Sequence, residues 1–191
     1  MRKKGKKVPR IPADQLGVDL AELVRNLRIV TSNRRGEELW VDVSNRRQLS
    51  RVAQGYAWLL EEVADCAGLA RRDLLHGTEE LSDSVDGDED LDLLAVTLLE
   101  NALASDMAGL QRALEDVDIE DVDIVAEIVG EMGGHLLRLQ LEPAQVREAL
   151  VQVADKYDAD IADVVDGVED EDEDEAEIED VEIEDDEEEE W

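Results

Sequence analysis

Phenylalanine is absent from this chain of 191 residues, and tryptophan and tyrosine together supply only five. A core without phenylalanine must be filled by Leu, Val, Ile and Ala, which suits packed helices better than an aromatic-rich sandwich. The lone Cys66 excludes an intramolecular disulfide. No apolar run approaches the roughly 18 residues of a membrane-spanning helix. The basic start leads into Val8-Pro9-Arg10-Ile11-Pro12 and then Asp14 and Asp19, not into the apolar core of a secretory signal. These absences lead us to expect a soluble cytoplasmic protein. Lysine is scarce as well, with Lys156 alone beyond the first seven residues.

What the chain has instead is carboxylate. Asp and Glu occupy 53 positions and the formal net charge is −34. The sign is sorted by position: residues 1–60 carry 13 Lys/Arg against 6 Asp/Glu, whereas residues 61–191 carry 6 against 47. Salt adaptation and GC-rich coding both deplete lysine and enrich aspartate. Uniform salt adaptation, however, does not predict a positive first third, and at about 1 M salt a Debye length of about 3 Å would screen the two poles from one another. Sorted charge points to partners held by charge.

Composition divides the chain into a basic arm over residues 1–12, a helical domain over 13–167 and an acidic tail over 168–191, with arm and tail expected to be disordered. The expected fold class is mainly α, an irregular helical bundle with a small β-hairpin near residues 29–43. Leu16, Leu20, Leu23, Val24 and Leu27 share one helix face, weakened at Gly17. Ile29-Val30-Thr31 and Leu39-Trp40-Val41-Asp42-Val43, flanking Asn33-Arg34-Arg35-Gly36, have the period and turn of a hairpin. Ser44 is placed to cap a helix that runs to His76-Gly77, with Gly77 as its stop and Thr78–Asp90 as a polar connection. A single broad stripe then runs from Leu91 to Leu114. A third helix spans about Asp121 to Leu139 with Gly133-Gly134 as a kink or close-packing point, and a fourth opens at Glu142-Pro143, its seam continuing through Tyr157, Ile161 and Val164. Residues 117–124 and 178–184 echo one another, which low alphabet diversity suffices to explain.

Two carboxylate pairs have catalytic spacing. Glu62/Asp65 and Glu80/Asp83 resemble the ExxE and ExxD pairs of the all-α MazG-type nucleoside triphosphate pyrophosphohydrolases, with Asp65 in place of the family's Glu. That resemblance implies Mg²⁺ held by these four residues against a triphosphate, since i, i+3 spacing puts both oxygens of a pair on one helix face. The same residues also fit a plain solvated acidic surface, and in that case no cofactor is expected. Aligned as a calcium loop from Asp86, the chain has Leu91 at the turn-glycine position and Thr97 at the bidentate-glutamate position, so the EF-hand pattern fails. Cys66, His76 and His135 stand alone, without partners at ligand or nucleophile spacing.

The two ends carry the stronger signals. Arg2, Lys3, Lys4, Lys6, Lys7 and Arg10 form a cluster suited to phosphate, which Arg34, Arg35, Arg46, Arg47 and Arg51 extend, with Trp40 or Tyr56 available for stacking. The run Asp185-Asp186-Glu187-Glu188-Glu189-Glu190-Trp191 resembles the acidic tips of bacterial and phage single-stranded-DNA-binding proteins, in which charge steers the tip to a basic groove and the terminal ring fills a pocket. The leading expectation is a non-enzymatic interaction or assembly factor whose tail holds a basic protein partner and whose arm holds anions, nucleic acid among them, with no membrane partner. The alternatives are the Mg²⁺-dependent pyrophosphohydrolase and a nucleic-acid-binding accessory protein.

Overall fold

The computed structural model describes residues 12–32, 39, 41–85 and 90–159. Among them every regular element is helical: α1 (Ala13–Leu16), α2 (Leu20–Thr31), α3 (Arg46–Ala67), α4 (Arg71–Ser84), α5 (Asp90–Ala104), α6 (Met107–Asp116), a 3-10 turn (Ile119–Asp121), α7 (Val122–Gln140) and α8 (Pro143–Lys156).

The expected hairpin does not form among the described residues. Ile29, Val30 and Thr31 instead complete α2, whose start is fixed by the Asp19 side chain accepting from the Ala21 N–H at 2.9 Å. Burial decides against their β preference. Ile29 is buried, Val30 lies against Gly134 of α7 and the Thr31 hydroxyl donates back to the Leu27 carbonyl at 2.7 Å. Residues 41–44 run without regular structure, while Asn33, Arg34, Arg35, Gly36 and Trp40 lie outside the described residues.

Most apolar positions are buried where periodicity places them, with Met107 and Leu139 exposed instead, but the helices are shorter than expected because the chain stops them by one recurring device. Gly68 sits in the left-handed region at φ 77°, and its N–H and that of Leu69 return to the carbonyls of Asp65 and Ala64 at 3.3 and 2.8 Å. This pair of bonds closes a helix on its own last turn. The same pair recurs around Ser105 (φ 59°) and Asp158 (φ 51°), which end α5 and α8. Gly17 (φ 71°) likewise separates α1 from α2, with the Val18 N–H returning to Ala13 at 3.1 Å. The single helix expected from Ser44 to His76 is therefore two, α3 and α4, and the stripe from Leu91 to Leu114 is a helical hairpin, α5 and α6.

Caps differ from expectation in detail. Asn45, not Ser44, caps α3, accepting from the Gln48 N–H at 3.0 Å while the Gln48 carboxamide oxygen accepts from the Ser44 N–H at 2.8 Å. Thr78 to Ser84, read as a connection, lie in α4, because Leu74, Gly77, Thr78 and Leu81 bury one narrow face. Gly77 is thus a mid-helix contact with Leu136 of α7, not a stop. Pro143 opens α8 in its first turn as expected. Ile161 and Val164 lie outside the described residues.

Packing centres on α3 and α7, which lie against one another and are flanked by α2, α4, α5 and α8. Glycines bring α7 close to both neighbours: a side chain at Gly130 would lie 2.6 Å from the Tyr56 hydroxyl of α3, and one at Gly134 would lie 2.5 Å from Val30 Cβ of α2. Tyr56 and Asn26 are both fully buried, and the Asn26 amide donates to the Tyr56 hydroxyl at 3.0 Å. A buried amide requires such a partner.

Candidate functional site

Few cations accompany the acidic surface, and several of those described hold the fold together. None of α3, α4, α5 and α6 has a basic residue in its last turn, where a cation would offset the negative end of the helix dipole. For two of these helices the cation comes from a neighbour. Arg71, at the start of α4, donates through Nε and Nη2 to the Leu103 carbonyl at the end of α5 and to the Ser105 hydroxyl at 3.2 Å, with the Glu61 carboxylate 2.9 Å from Nε. Arg46, at the start of α3, donates from Nε to the carbonyl of Val117, just past the end of α6, at 2.7 Å. Neither bond is visible as a sequence pattern, since 32 and 71 residues separate the partners.

Of the residues expected to contact anions, Arg46 is therefore half-buried at a helix end, Arg47 is exposed on the first turn of α3, and Arg51 is half-buried near Gly17. Arg2, Lys3, Lys4, Lys6, Lys7, Arg10, Arg34 and Arg35 lie outside the described residues, as does the partner-binding run Asp185, Asp186, Glu187, Glu188, Glu189, Glu190 and Trp191. Tyr56 is corrected from a stacking residue to a core residue, because its ring is wholly buried.

The carboxylate pairs are also engaged locally. Glu62 accepts from Lys156 Nζ at 2.5 Å and from the Tyr157 hydroxyl at 3.1 Å, and the Tyr157 ring meets Trp58 edge-on at 4.9 Å between centroids. Glu80 pairs with His76 on its own helix at 3.4 Å, while Asp65 and Asp83 are exposed. Among the described residues no group of three or more His, Cys, Asp or Glu is placed to hold a metal ion. Cys66 is half-buried, and burial, helped by Glu62 and Asp65 and opposed by Lys156, pushes its thiol above the usual range. At neutral pH it is a thiol and a weak nucleophile.

Among the described residues a groove of about 940 Å³ opens between α5 and α6. Leu91, Leu94, Thr97, Asn101, Gly109 and Ala113, all buried or half-buried, form its mostly apolar floor, and the exposed Asp90, Asp116 and Asp118 and the half-buried Asp121 stand on its rim with Arg112 as the one cation lining it among the described residues. Sequence reasoning placed these leucines in a buried stripe and missed the groove, because the break at Ser105 that folds α5 against α6 is not a glycine. A smaller depression lies among α4, α5 and α7, lined by Leu81, Met132, His135 and Leu139. A third gathers Asp19, Glu22, Asp42 and Arg51. There burial, then Asp19 and Asp42, raise the Glu22 pKa against the pull of Arg25. Among the described residues no helix is long and apolar enough to cross a membrane.

Comparison with protein-family models, with curated proteins and with solved structures gives no match.

Proposed function

We propose that this chain is a non-enzymatic helical interaction factor, of the scaffold or assembly-chaperone kind, that holds a basic protein partner. The observation that carries this reading is the groove between α5 and α6, where apolar side chains are framed by four aspartates. Apolar floor and charged rim are the two parts of a protein-binding surface: the floor supplies affinity, and the rim supplies orientation and encounter rate. The acidic run over residues 169–191 adds a second, sequence-tolerant attraction for the same class of partner.

The test is a titration of the full chain with poly-lysine and with a folded basic protein, repeated as added salt shortens the Debye length from about 10 Å to about 3 Å. Saturable binding that weakens steeply with salt is expected for both. A chain that binds neither ligand at low salt is not an interaction factor for basic partners. In the same preparation, magnesium-dependent release of pyrophosphate from nucleoside triphosphates, lost in Glu62→Gln, would replace this reading with the enzymatic one.

A further inference from the structure

We infer that the groove between α5 and α6 receives a cationic amphipathic helix, about three turns long, with one apolar face flanked by Lys or Arg. This deepens, and rests on, the reading of the chain as a binder of basic partners.

Four observations select that occupant. The first is that α5 is apolar on more than its buried side: Ala95, Val96, Leu98, Leu99, Ala102 and Leu103 face the core, yet Leu91 and Leu94 are half-buried in the groove and Leu93 is 43 % exposed beside them. The second is where the large exposed apolar residues lie. Of the six among the described residues, Leu93 lines the groove, and Ile119 follows the rim residue Asp118 in the chain without lining the groove itself. The third is sign, since four carboxylates against Arg112 favour a cation at the mouth. The fourth is wall geometry. Two packed helices leave a furrow that a third helix fills ridge into groove, whereas an extended strand would find no backbone partners there. The ten residues of α6 set a length of about 15 Å, which an occupant of about ten to twelve residues spans with apolar positions at i, i+3, i+4 and i+7.

A second copy of the chain is disfavoured because its own net charge of −34 would meet the same rim. The basic arm of this chain is disfavoured because Met1-Arg2-Lys3-Lys4-Gly5-Lys6-Lys7-Val8-Pro9-Arg10 has no apolar period and includes both a glycine and a proline.

The experiment uses the isotope-labelled full chain and two fluorescent peptides of identical Leu, Lys and Ala composition, one with its leucines at helical spacing and one scrambled. The amphipathic peptide is expected to bind at least about tenfold more tightly, and to shift amide signals at residues 90–97 and 109–121. Removing the rim charge in Asp116→Asn/Asp118→Asn/Asp121→Asn should weaken that peptide about tenfold, the combined effect of three exposed ion pairs, and leave the scrambled one unchanged. Thr97→Arg should weaken it similarly by filling the floor, and if this variant does not fold, the shift map of the unaltered chain decides alone. Equal binding of the two peptides, with shifts confined to residues 168–191, overturns the groove as the site while leaving the binder of basic partners standing. Binding of neither peptide at low salt overturns both.

Discussion

At the scale of single residues, the core depends on a buried polar contact and on several absent side chains. Asn26 and Tyr56 lie 30 positions apart, and nothing in the periodicity of either helix joins them. Spacing put Tyr56 on the apolar face of its helix, but spacing does not say how deep a ring lies, so the residue was also open to a stacking role that the fold denies. Burial, opposed only in part by the Asn26 amide, holds the phenol far above its usual range, so it is neutral at physiological pH. Tyr56→Phe removes the acceptor of a buried amide hydrogen and should cost about 1–3 kcal/mol in urea denaturation. Glu22 is shifted in the same direction, but here substitution is expected to stabilise. Its pKa is raised by burial and by Asp19 and Asp42, so the folded state favours the protonated form; that contribution is complete below the unfolded carboxyl value of about 4.3 and is lost as pH rises through the higher folded value. Glu22→Gln should therefore be more stable than the parent at pH 7, with the difference closing as melting is measured at progressively lower pH.

At the scale of elements, helix content and facing were legible from spacing, whereas most helix ends were not. Gly68 and Gly77 look alike in sequence, and the expected stop was placed at the wrong one. They differ in surroundings: a side chain at Gly68 would meet nothing within 4 Å, while one at Gly77 would press on Leu136. One glycine serves a backbone angle and the other a close approach, and only the folded neighbours tell them apart. Ser105 and Asp158 use the same left-handed stop without glycine, so neither stop is marked by residue type in the sequence. Asp158→Gly should gain about 0.5–1 kcal/mol by easing that angle, and it also removes a negative charge from the negative end of α8. A shift of the thermal midpoint upward checks it. Gly134→Ala should lose about 1–3 kcal/mol because the new methyl meets Val30 at Cβ, which cannot rotate away, and a lowered urea midpoint with unchanged slope is the expected result.

At the scale of the whole molecule, the sorting of charge along the chain was readable at once, but its use was not. Arg46, expected to contact anions, also sits at the carbonyl end of α6, a role set by a contact 71 residues away. The groove was likewise invisible while α5 and α6 read as one stripe. For the two poles, we expect deletion of residues 168–191 to raise affinity for single-stranded DNA at low salt by freeing the basic arm; equal affinity with and without the tail would show that the poles do not compete. The last described turn offers a way to watch such events. Tyr157, the residue that follows α8, lies edge-on against Trp58, which is 5 % exposed. With Trp40 and Trp191 replaced by leucine, Trp58 becomes the sole indole emitter, and its fluorescence colour will report whether the end of α8 stays seated when a ligand is taken up.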